Sequence, residues 1–126
     1  MIDIKPTVVK SVNEVITERE ACDIKLYWLA PKKDDTLPCI VYNEVENNDY
    51  ARVYGAEYAN ITIQFTIYAV DPRDLFRMAE IVDEAMANRL GFDKSYSGPC
   101  VQGEGMVTQV IRFSGVVNQH KSVFKK

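Results

Sequence analysis

The side chains in this chain that are of a type to do chemistry are few, and their spacing gathers none of them into a working set. His120 is the one histidine, set between Gln119 and Lys121. No nucleophile or orienting carboxylate lies close to it in sequence, so it reads as a surface or interface residue rather than a general base. Asp71 and Asp74 resemble a pair of acid/base carboxylates, but Pro72 between them and the apolar period that follows make them the cap and first turn of a helix. Glu44 and Glu46 fall on one face of a strand end, as metal-binding carboxylates do. Without further ligands they read as a solvated edge that discourages strand addition. Cys22, Cys39 and Cys100 are far apart and form no C-x-x-C pair, which speaks against zinc and for reduced, mostly buried thiols. Neither a cofactor nor an enzymatic activity is expected.

The remaining patterned side chains suit contact. Tyr50, Tyr54 and Tyr58 recur every four residues beside Arg52, a spacing that would serve base stacking. Glu46, Asp49 and Glu57 in the same stretch would repel phosphate, and tyrosine and arginine are equally the residues of protein interfaces. The reading favoured is a partner-binding loop. His120, Lys121, Lys125 and Lys126 make a short basic run that is solvated, or that meets an acidic neighbour or a DNA backbone in an assembly.

Positioning these residues falls to elements that the periodicity marks. Val8, Val9, Val12, Val15 and Ile16 give a helix one apolar stripe, with Pro6 and Thr7 at its start. Ile24 to Leu29 alternates as a strand with Ile24, Leu26 and Trp28 on one face. Ala30 to Pro38, which contains Lys32, Lys33, Asp34 and Asp35, reads as an exposed connection. Cys39 to Val45 is a second strand, and the polar, aromatic stretch from Glu46 to Ala56 is a loop. Ile61, Ile63, Phe65 and Ile67 alternate with Thr62, Gln64, Thr66 and Tyr68 as a third strand with one core face. A helix follows from Pro72, with Leu75, Met78, Ala79, Val82, Met86 and Leu90 inward, and ends at Gly91 with Phe92 folding back. Asp93 to Gly105 is broken by glycine and proline, with room for a short strand. Met106 to Ser114 is a strand again, Gly115 permits a bend or bulge, and Val116 to Phe124 is the last strand.

The order α-β-β-β-α-β-β, with strands in runs, predicts an α+β domain: a mainly antiparallel sheet with two helices packed on it. A chain of 126 residues is expected to be one domain, 1–126, with a core that needs no metal or disulfide. Its net charge of −3 argues against a general nucleic-acid binder. No apolar run approaches the roughly 20 residues of a membrane span. The start MIDIKPTVV lacks the build of a signal peptide, so the protein is expected to stay where it is made.

The run IYAVDPRDLFRMAEIVDEAMANRLGF, followed after a loop by VIRFSGVVNQ and preceded by LPCIVYNEV, resembles the pattern of tail terminator (tail completion) proteins of long-tailed bacteriophages. That resemblance spans most of the chain. It implies a virion protein of the tail and neck, assembled in the host bacterial cytoplasm. Its subunits would close into a ring, typically of six, on the finished tail tube. Such a ring ends tube polymerisation, offers its other face to the head connector or head-completion protein, and lets DNA pass through its lumen. The interface residues expected for these contacts are Lys32, Lys33, Asp34, Asp35, Tyr50, Arg52, Tyr54, His120 and Lys121. Two alternatives remain open: another neck component, such as a head-completion or adaptor protein, and a small-ligand-binding α+β domain.

Overall fold

The computed structural model describes residues 2–21, 23–28, 38–53, 56–103, 105–118 and 120–123, and for 49–53, 56 and 57 it describes the backbone. The first apolar stripe folds as α1, Lys5–Glu18, which buries Val8, Ser11, Val12, Val15 and Ile16. β1, Lys25–Trp28, follows, and then β2, Cys39–Val53, and β3, Ala56–Ala69. The expected loop from Glu46 to Ala56 is therefore corrected. Its backbone continues β2 and β3 as a hairpin, paired out to Val53 opposite Ala56. Bulges between Glu44 and Glu46 and between Asp49 and Ala51 shift the register, and those shifts break the period-2 signal by which a strand is recognised.

After β3 the chain enters α2, Pro72–Asp83, where the Asp71 carboxylate accepts from the Arg73 amide. This is the expected cap: one orphan amide of the first turn is satisfied and Pro72 has none to satisfy. From Glu84 to Leu90 the helix widens into π geometry before Gly91 closes it in the left-handed region at φ 85°. Phe92 folds back, its amide donating to the Met86 carbonyl at 2.9 Å, and its ring is buried. Two short strands follow, β4 (Asp93–Ser97) and β5 (Val101–Gly103), and then β6, Met106–Asn118.

The expected bend at Gly115 and separate last strand are also corrected, because β6 runs unbroken past that residue with Ile61 opposite Gly115 and Thr62 opposite Ser114. A Cβ there would stand 3.0 Å from Phe92 Cδ1 and 3.2 Å from Val123 Cγ1, so glycine spares those two side chains a shift of a few tenths of an ångström. Beyond Asn118 the chain turns, and Val123 returns to bridge Val117.

The strands form one mixed sheet in the order β1-β2-β3-β6-β4, with β5 also on β6. Among the described residues only the β1–β2 pair is parallel; β2–β3, β3–β6, β4–β6 and β5–β6 are antiparallel. The fold is α+β, with both helices on one face of the sheet. That face carries Ile40, Ile61, Ile63, Phe65, Ile67, Ile111 and Phe113 into a single buried cluster with Val8, Val12, Val15, Leu75, Met78, Ile81, Val82 and Met86.

Candidate functional site

The register gathers part of the expected interface at one end of the sheet. Ala51, Tyr58 and Asn118 stand in one row across β2, β3 and β6. Tyr50 and Arg52 flank that row on β2, and the turn bearing His120 and Lys121 follows it on β6. Asn118 builds the turn: its side-chain oxygen accepts from the amides of His120 at 2.9 Å and Ser122 at 3.1 Å. The Lys121 amide donates to the Asn118 carbonyl at 2.9 Å, and Lys121 takes φ 63°. His120 and Lys121 are both exposed. Lys32, Lys33, Asp34, Asp35 and Tyr54 lie outside the described residues, as do the side chains of Tyr50 and Arg52.

The groups that resembled chemistry are dispersed. The bulge puts Glu44 opposite Ile63 and Glu46 opposite Thr62, so the two carboxylates point to opposite faces, which corrects their expected shared face. Glu46 instead accepts from Asn48 at 3.1 Å and Asn60 at 3.2 Å. Among the described residues no three His, Cys, Asp or Glu side chains group as metal ligands. Of the thiols, Cys39 is buried and Cys100 is exposed, while Cys22 lies outside the described residues.

The sheet face away from the helices carries hydroxyl, amide and guanidinium side chains. Over its hairpin half, hydrogen bonds tie the strands in rungs: Thr62 with Ser114 at 2.8 Å, Ser114 with Ser95 at 3.1 Å, and Arg112 Nε to Gln64 Oε1 at 2.8 Å. The Arg112 guanidinium also stands 5.6 Å from the centre of the Tyr96 ring. Strand alternation leaves Thr66, Tyr68, Thr108 and Val110 on the other half of this face, all half-buried.

Two further features were not legible as sites. A groove of about 510 Å³ opens where the start of α1 crosses the sheet, lined by Asp3, Lys5, Pro6, Val9, Lys10, Trp28 and Tyr42. The Trp28 and Tyr42 rings stand 5.0 Å apart, and the Lys5 ammonium lies 4.7 Å from the Trp28 ring centre. Burial, and then the Asp3 charge, push the Tyr42 hydroxyl above its ordinary pKa. The second feature is Phe76, 70% exposed on the outer face of α2. Its sequence signal is an aromatic at a polar-face position, three residues after Arg73 and four before Glu80.

A scan against models of protein families and a search among curated proteins find no match to this chain. Geometry and residue pattern therefore carry the functional reading.

Ion pairs at the surface link the helices to each other, through Arg19–Glu80 and Arg89–Glu18, and to neighbouring segments. Arg77 reaches Asp23 at 2.9 Å and Asp74 at 3.1 Å, Arg19 reaches Glu80 at 3.5 Å, and Lys94 reaches Asp83 at 2.9 Å. Arg89 pairs with Glu18 and stands 3.6 Å from Glu84. The hydrogen bond from Arg77 holds the Asp23 carboxyl below the usual carboxylate range. A carboxylate whose pKa is lowered on folding contributes stability above its unfolded value and loses it as pH falls through the folded one. Arg77→Gln is therefore expected to lower the melting temperature at neutral pH, and the gap to the parent should narrow as pH falls below about 4. Equal gaps at neutral and acid pH would show that the pair contributes no charge-dependent stability.

Proposed function

We propose that this chain is a structural subunit of a long-tailed bacteriophage virion, which closes into a ring on the tail tube and ends its polymerisation. The ring offers its opposite face to the head connector, and the subunit performs no catalytic step. The observation that carries this reading is the gathering of the hairpin backbone at Tyr50 and Arg52 with the His120–Lys121 turn at one end of the sheet. That end makes an axial contact surface out of segments far apart in sequence. Further support comes from the two runs on which the family resemblance rests. The first runs from the end of β3 through α2 to Phe92, the second lies in β6, and they meet where the Phe92 ring packs over Gly115.

Termination then works through asymmetry between surfaces. One end of the ring matches the last ring of the tube, while the other fails to offer the same contacts to a further tube subunit. Tyrosine and arginine, the residue types that the hairpin backbone carries at 50 and 52, dominate such contacts. Electron microscopy of the purified protein, alone and mixed with tail tubes, tests the reading. Rings capping one end of the tubes are expected; a protein that never binds tubes would overturn it.

A further inference from the structure

We infer that the Trp28 groove is the receiving half of a contact between copies of this chain, and that Phe76 of a second copy fills it. Trp28 is 37% exposed and Phe76 is 70% exposed. Large aromatics left open to water are the residues that become anchors when a pocket closes over them. The groove floor offers Pro6, Val9, Trp28 and Tyr42, an apolar lining of a size to take a phenyl ring.

Charge sets the orientation. Phe76 is flanked along α2 by Arg73 and Glu80, about 10 Å apart at the helical rise. The groove carries Asp3 ahead of α1 and two cations within α1, Lys5, which is engaged over the Trp28 ring, and Lys10. Docking Phe76 thus brings Arg73 to Asp3 and Glu80 to Lys10. These groups are loosely engaged in the single chain: Arg73 stands 3.6 Å from Asp71 with its side chain 92% exposed, and Glu80 stands 3.5 Å from Arg19 with its side chain 73% exposed. Because the giving and receiving patches differ, one copy can do both at once, which is the interface type that closes rings or extends chains. The inference supplies a subunit contact for the ring proposed above and takes its place in a ring from that reading.

Trp28 is the sole tryptophan, so its emission reports the groove directly. Sedimentation velocity and fluorescence of the full chain from about 1 to 100 µM, with no tubes present, should show mass rising together with a blue shift of Trp28 emission. Phe76→Ser should weaken association at least about tenfold and leave the emission at the monomer's wavelength, with unchanged far-ultraviolet circular dichroism. Arg73→Asp should weaken it as well, and adding Asp3→Arg to the same chain should restore it. A parent that stays monomeric, a Phe76→Ser variant that associates like the parent, or association without an emission shift each overturns the contact. Association that follows this pattern in a protein that never caps tubes leaves the contact standing and removes the tail reading.

Discussion

Replacing Phe65 by alanine lowers the stability of the fold by about 3–5 kcal/mol. Phe65 is fully buried at the middle of β3, which has β2 on one side and β6 on the other. Its ring meets that of Phe113 edge to face, with centres 5.9 Å apart, and Phe113 is as completely buried. Truncation removes the apolar area and leaves a void between sheet and helices, where backbone on both sides prevents collapse. Domains of this size hold only about 5–15 kcal/mol in total, so the variant should unfold at a much lower urea concentration with little change in the slope of the transition. A loss under about 1 kcal/mol, the scale of a surface substitution, would show that the ring does not stand at the centre of the core.

Ser11→Ala is the second large effect expected, at about 1–3 kcal/mol. Ser11 is the one polar residue buried among the described residues, and its hydroxyl donates to the Ala85 carbonyl at 2.9 Å. That carbonyl belongs to the π-helical stretch, where the wider turn displaces the α-helical bonding pattern. Alanine removes the donor and leaves the carbonyl with one partner fewer in a buried place. Denaturant unfolding would give the size of the loss, and faster amide exchange over Glu84–Leu90 would locate it. Unchanged stability and exchange would show that the contact between α1 and the widened turn contributes nothing.

The parts of the fold legible from residues were those fixed locally. Asp71, Pro72 and Gly91 mark the ends of the second helix because capping and left-handed closure are properties of a few adjacent residues. The alternation from Ile61 to Ile67 marks the core face of β3 for the same reason. The π widening was hidden because Val82, Met86 and Leu90 recur every four residues, a spacing that reads as an ordinary helix. A regular helix would carry those positions steadily round its axis. The hairpin was hidden by Asn47, Asn48 and Asp49, poor strand formers held in place by pairing with β3. At Gly115 the cause was again tertiary, since the residue answers to Phe92 and Val123. The proposed contact surface was half legible. Tyrosine, arginine and histidine announce themselves by type, whereas the Trp28 groove exists only because α1 crosses β1 and β2, and nothing local encodes that crossing.

The position of β6 has a consequence for how the chain comes to be folded. β6 lies beside β3 in the middle of the sheet, but it is the last strand of the six along the chain. During synthesis β2, β3 and α2 emerge first and form their local hairpin and helix. One edge of β3 and the core seat of Phe113 then stay open until residues 106–118 are free of the ribosome. Long-range strand pairing of this kind is slow and leaves an unpaired apolar edge exposed in the meantime. The late arrival of β6 therefore makes completion of the sheet the step at which nascent chains are exposed to aggregation, and chaperone binding at that point should raise the yield of folded protein.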